Sequence, residues 1–247
     1  MAIPRLGAAL CACAIITAAC DARAPAPAAA AALSGGSIDG RVHLRGRPPT
    51  PEPIRMGFDP VCLEVSGATP VNDTIVVSRD GFVANAFVYI EDGLDRTHAF
   101  PEATEPVQLV QRGCRFVPHV LGVRVGQPVE IVNEDPTEHN VHNLPGVNPE
   151  LSRLQPVQGM RETRTFASPE IMVRFKCDLH PWMTAFVGVV DHPYFAVTDS
   201  DGRFALTGVP DGTYTLAVWH ERFGTRTARV TVTKGHAADV TVELDAE

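Results

Sequence analysis

Two short stretches carry donor atoms at spacings that chance rarely assembles. Cys177, His180 and Met183 recur at three-residue intervals in Cys177-Asp178-Leu179-His180-Pro181-Trp182-Met183, and upstream lies Glu138-His139-Asn140-Val141-His142. A thiolate, two imidazoles and a thioether are the donor set of a trigonal His2Cys copper site with a weak axial Met, the arrangement of an electron-transfer centre. Three donors sit on one loop, so the fourth, an upstream His, has to arrive from a neighbouring strand. Copper is favoured over zinc, because zinc takes further Cys or His in place of a thioether.

The flanking residues supply strands that could position such donors. Ile171, Val173, Phe175 and Cys177 recur at period two. Side chains of a strand alternate faces, so the thiol should point with the core and away from water, while Met172, Arg174 and Lys176 face the other way. Phe186 to Val190 reads as the returning strand. Upstream, Phe116-Val117-Pro118 leads into Leu121, Val123 and Val125 in alternation, and Gly126-Gln127-Pro128 turns the chain into Val129-Glu130-Ile131-Val132-Asn133. The same alternation puts His142 on the face opposite His139, so His142 is expected to be exposed. His119 reads as structural and His220 as a surface residue. Met160, in a long loop over 143–166, is not expected to be a ligand.

This pattern resembles the plastocyanin-like cupredoxins, and the ligand loop is most similar to that of the amicyanins, which share the short Cys-x2-His-Pro-x-Met loop and the His-Asn-Val-His segment. The resemblance implies a Greek-key β-sandwich or barrel over 107–191 that binds one type 1 copper through His139, Cys177, His180 and Met183. Asn140, beside the first ligand, is placed to brace the Cys177 loop from outside the ligand sphere. His180 is expected to be the ligand nearest the surface, ringed by Pro181 and Trp182 as an electron port where a redox partner docks. Residues 107–190 carry eight Lys+Arg and eight Asp+Glu, a balance that favours docking by apolar contact over long-range steering.

Outside this stretch the chain also reads as strands, with no convincing amphipathic helix. Ile38 to Leu44 alternates, 45–53 is too Pro-rich for a central strand, and Val83 to Ile90 is a second candidate. Near the C-terminus Ser200-Asp201-Gly202 stands between two short strands as a hairpin signal. The run Thr198-Asp199-Ser200-Asp201-Gly202-Arg203-Phe204, with Gly208-Val209-Pro210-Asp211-Gly212-Thr213-Tyr214 after it, resembles the carboxypeptidase regulatory-like, transthyretin-like β-sandwich. Gly40-Arg41-Val42 and Ala86-Phe87-Val88-Tyr89 would be its opening strands, about 100 residues upstream. The expected organisation is all-β: a small sandwich built from 36–95 with 192–247, interrupted by the 107–191 domain. Insertion at a loop is tolerated because chain ends lie close together there. Two tandem domains are the alternative.

Arg5 and the apolar run 6–19 read as an export signal too short to span a bilayer. Thr17-Ala18-Ala19-Cys20 resembles a bacterial lipobox. That implies 1–19 as a lipoprotein signal, lipidated Cys20, an Ala/Pro linker over 20–35, and a periplasmic or cell-surface protein that meets the membrane only through its lipid. Ordinary cleavage within 18–24 is the alternative. Export permits a disulfide between Cys62 and Cys114, which would add roughly 4 kcal/mol by closing a loop of about 50 residues; two buried free thiols are the other reading.

A net charge of -8 with no basic patch argues against nucleic acid. No Ser-His-Asp order, paired carboxylates, Walker loop or Cys-x2-Cys pair stands out, so no enzyme is expected. The functions that fit are single-electron transfer between redox partners, copper binding and delivery, or surface binding by a sandwich with no redox role.

Overall fold

The structure is a computed structural model that describes residues 35–57, 59–67, 70–235 and 238–246. The expected signal 1–19 and Cys20 lie outside the described residues. In chain order the elements are β1 (Gly36–Arg45), α1 (Pro60–Val65), β2 (Phe87–Asp92), β3 (Val107–Gln111), β4 (Phe116–Val117), β5 (Val120–Arg124), β6 (Val129–Asn133), β7 (His139–Leu144), β8 (Leu151–Gln155), β9 (Arg161–Arg164), β10 (Glu170–Lys176), β11 (Thr184–Val190), β12 (Phe195–Val197), β13 (Arg203–Val209), β14 (Gly212–His220), β15 (Gly224–Val232) and β16 (Ala238–Asp245). Among the described residues the protein is all-β apart from that one short helix.

Four sheets make two stacks. Sheets ordered β13-β1-β16 and β12-β2-β14-β15 enclose a core of Ile38, Val42, Val88, Leu206, Leu216 and Leu244. Sheets ordered β5-β11-β10-β7-β8 and β4-β3-β6-β9 enclose Leu109, Phe116, Ile131, Phe166, Val173 and Phe175. Each large apolar side chain removed from water this way contributes roughly 1.5–3 kcal/mol. β1 and β2 join strands from the far end of the chain. β1 lies between β13 and β16, parallel to the latter, and β2 lies between β12 and β14.

The seam between the stacks is close-packed. Phe87, Val120 and Val190 form its buried centre, with Phe186, Phe195 and Trp219 around them. Gly122 and Gly188 make room for it. A Cβ on Gly122 would collide with the Phe195 ring, and one on Gly188 would meet the Phe87 ring at 2.6 Å. His119 pins the seam's edge. Its Nδ1 donates to the Thr184 carbonyl (3.1 Å) and its Nε2 faces the Glu221 carboxylate. Both ring nitrogens meet acceptors. Burial opposes the charge on His119, but Glu221, Asp73 and the Thr184 carbonyl outweigh it and raise its pKa.

Four expectations need correction. The turn at Ser200-Asp201-Gly202 is present, with Gly202 N–H donating to Asp199 O (2.9 Å). However, β12 and β13 do not pair; they belong to facing sheets. Turn residues specify a reversal, not which sheet receives the next strand. The stretch 143–166 is no structureless loop, since it holds β8 and β9. Ile171 leaves the period-two face because Met172 adopts a left-handed φ of 64° and the register slips between Glu170 and Val173, which leaves Ile171 exposed. His220 is buried, not a surface residue. It stacks on Phe223, and burial followed by the neighbouring charge on His119 lowers its pKa to about 4.

Candidate metal centre

The donors converge at one end of the second stack. β7 begins at His139, β10 ends one residue before Cys177, and Met183 immediately precedes β11. The β7–β10 pairing, with His142 opposite Lys176, brings the two sequence stretches together. His139 Nδ1 lies 3.1 Å from His180 Nδ1, and Cys177 Sγ lies 3.7 Å from His180 Nδ1. The donor atoms of His139, Cys177 and His180 all fall within 4.8 Å of one another, and all three residues are buried. Met183 is buried on the same tight loop. Its N–H donates to His180 O (2.9 Å) and its carbonyl accepts from Cys177 N–H (3.2 Å).

The hydrogen bonds around this cluster fix which atoms are free to bind. His139 Nε2 donates to Asp135 Oδ2 (2.9 Å), and His180 Nε2 donates to Asp59 Oδ2 (2.8 Å). Carboxylates on the outer nitrogens hold each neutral ring as the Nε2–H tautomer, the arrangement found behind metal-bound histidines. Two Nδ1 lone pairs are then aimed at each other and at the sulfur. A proton or a metal cation among them relieves that opposition, and metal–nitrogen bonds of about 2.0–2.1 Å span such a gap. The residues present therefore fit a metal ion.

Electrostatics point the same way. Burial disfavours the Cys177 thiolate, yet the adjoining His180 side chain and the amides of Asn140, Leu179 and His180 lower the thiol's pKa. Asn140 N–H donates to Cys177 Sγ (3.3 Å), and Asn140 Oδ1 accepts from Asp178 N–H (3.4 Å). Asn140 thus touches both the sulfur and the loop that follows it. Burial also opposes the Asp135 charge, but His139 and the amides of Cys114 and Gly113 hold its pKa below the usual value. For Asp59 the same opposition is overcome by the Cys62 amide and His180.

Other residues fall away from the cluster. His142 bonds Asp178 (2.8 Å) and Glu150 (2.7 Å) on the outer face. Met160 is exposed. Cys62 and Cys114 form a disulfide.

One expectation about the site holds only in rank. His180 is the most exposed of the four candidate ligands, yet only 4% of it is exposed, so it forms no open port. The segment carrying Asp59 and α1 lies over its outer edge, with Cys62 Sγ 3.7 Å from His180 Nε2. Trp182 packs beside it, ring centroids 5.1 Å apart, and remains part-exposed. Sequence reasoning missed Asp59, α1 and Asp135. The Asp59-Pro60 pair was a readable start signal, a capping side chain before Pro at the first helical position. Nothing in the sequence indicated where that helix would dock.

Comparison with known proteins adds the following. The carboxypeptidase regulatory-like domain model matches residues 181–245, the segment that supplies all of β11 to β16. No curated relative matches the sequence. Similar solved structures include a copper-containing nitrite reductase from Thermus scotoductus SA-01, with 28% identity over 36% of this chain and a TM-score of 0.31; the chain spans 23% of that protein. A purple cupredoxin from Nitrosopumilus maritimus aligns over 33% of this chain and 97% of its own length, at 22% identity and a TM-score of 0.29. An amicyanin variant in the Cu(I) state aligns over 42% and 98%, at 22% identity and a TM-score of 0.30.

Proposed function

We propose that the protein is an exported type 1 copper protein that carries single electrons between redox partners. The observation behind this reading is the convergence of two carboxylate-backed Nδ1 atoms on a buried sulfur with a lowered pKa. His139, Cys177, His180 and Met183 would hold the ion. Soft sulfur ligands select copper, and copper supplies a one-electron couple. The chain's own part is to keep the ligand positions fixed through that change. β7, β10 and β11 anchor the donors at strand ends, Pro181 stiffens the loop, and Asn140 ties the sulfur to it.

A partner is expected to dock at Pro181 and Trp182, where a cleft also lined by Phe186, Trp219 and Arg174 opens beside the buried His180. In this reading 36–95 with 192–247 is a discontinuous accessory domain around the copper domain. Cys20 carries the lipid that holds the protein at a periplasmic or outer membrane surface, and Cys20→Ala should move it from membrane to soluble fraction.

The deciding experiment is addition of Cu(II) to the metal-free protein. An intense visible thiolate charge-transfer band at one equivalent, absent in Cys177→Ser, is expected. A folded protein with no such band refutes the reading. Reversible voltammetry with fast self-exchange separates electron carriage from copper delivery, which would instead show ready transfer of copper to an acceptor.

A further inference from the structure

The two imidazoles are not held independently. Starting at His180, Nε2 reaches Asp59 Oδ2 (2.8 Å), and the other oxygen of that carboxylate accepts from Cys62 N–H (3.0 Å). Starting at His139, Nε2 reaches Asp135 Oδ2 (2.9 Å), and the same oxygen accepts from Cys114 N–H (2.8 Å). Cys62 and Cys114 are bonded to each other. The contacts therefore form a closed ring. It runs from one imidazole through a carboxylate, a cysteine, a disulfide, a cysteine and a carboxylate to the other imidazole, and closes where the two Nδ1 atoms face each other. Each cysteine also belongs to a cluster with donor atoms within 4.8 Å, Asp59-Cys62-His180 on one side and Cys114-Asp135-His139 on the other.

We propose that the Cys62–Cys114 disulfide is a positioning element of the metal centre. By holding Asp59 on His180 it keeps the outer side of the centre closed and sets how fast metal leaves. This rests on the copper reading of the site. The reason lies in what else holds the covering segment. α1 has six residues, far below the length at which a helix persists on its own. Its cap is Asp59, which accepts from the amides of Val61 and Cys62. Met56 and Cys62 are its buried anchors in the core beneath. Without the disulfide the segment keeps Met56 and the part-buried Ile54 and Val65 as apolar anchors and loses the covalent one. Asp59 then leaves His180, and the ring can turn its Nδ1 from the ion. The His139 side lacks this weakness, because Asp135 lies between β6 and β7, two strands of the same stack. Metal release is therefore one-sided, through His180.

The test compares the wild type with the double variant Cys62→Ser, Cys114→Ser. In the metal-free protein, hydrogen exchange at the imidazole Nε2–H groups is followed by 15N NMR. In the copper-loaded protein, transfer of Cu(I) to a strong chelator is followed by absorbance. The expected results are loss of protection at His180 Nε2–H with His139 Nε2–H still protected, and transfer at least tenfold faster. Equal protection and equal transfer rates overturn the proposal. Should the double variant not fold, Asp59→Ala with the disulfide intact decides it: unchanged exchange in the 53–66 backbone with unchanged Cu(I) transfer overturns the proposal, and faster transfer supports it. If the wild type takes up no copper the functional reading fails, while the exchange measurement still decides whether the disulfide holds Asp59 on His180.

Discussion

The two candidate ligand histidines are supported in contrasting ways. His139 is served locally. Its carboxylate, Asp135, is four residues away, and Asn133 Oδ1 accepts from Asp135 N–H (2.9 Å) to shape the turn between β6 and β7. His180 is served from 121 residues away, by a carboxylate on a Pro-rich segment whose one helix is covalently tied down. Local support comes with the strand that carries the ligand. Remote support has to be brought in and fastened, so it is the part that can open.

The largest expected effect in this comparison is at the local side. Asp135→Ala leaves His139 Nε2 and the amides of Gly113 and Cys114 without an acceptor in a buried place. A loss of about 3–5 kcal/mol is expected in chemical denaturation. A loss under 1 kcal/mol would put the two sides on equal footing.

Acid should separate the site from the seam. His220 has a pKa of about 4 against 6.5 for the free side chain. A depressed histidine favours the neutral fold, so its contribution is complete above pH 6.5 and disappears as pH falls towards 4, roughly 3 kcal/mol in all. Asp59 and Asp135 are lowered from 3.8, so their contributions are present above that value and are lost only at lower pH. Two acid steps in a stability–pH profile are expected, the upper one reduced in His220→Gln, with buried His192, also lowered, supplying the remainder. A single step below pH 3.8 would contradict this assignment.

At the seam, Gly188→Ala forces a methyl group onto the Phe87 ring and should cost about 2 kcal/mol by overpacking, read as a lowered Tm. The smallest effect belongs to the remote side. Asp59→Ala removes a helix cap and one hydrogen bond at a part-exposed place, about 1–2 kcal/mol. If it matched Asp135→Ala, the contrast between the two supports would not hold.

Much of the centre was legible because its information is local. Cys177, His180 and Met183 share one loop, and the strand before them announces its buried face through Val173 and Phe175. His139 was identifiable from the Asn-Val-His that follows it and from strand alternation, which separated it from His142. What escaped had long-range causes. The docking of 53–66 over His180 follows no periodicity, so the sequence left His180 at the surface. The hairpin misreading arose because Asp-Gly chemistry sets a turn, while the destination of the strand after it depends on the sheet that β1 completes. Ile171 was misplaced by one left-handed residue, Met172, whose side chain packs against the seam.

The glycine seam has a mechanical consequence. Gly188 lies on β11, five residues beyond Met183, and the Phe87 ring rests on it with no slack. A pull or a twist applied to the first stack would be carried through this contact into the strand that follows Met183. The first stack is thereby coupled mechanically to the loop of Cys177, His180 and Met183.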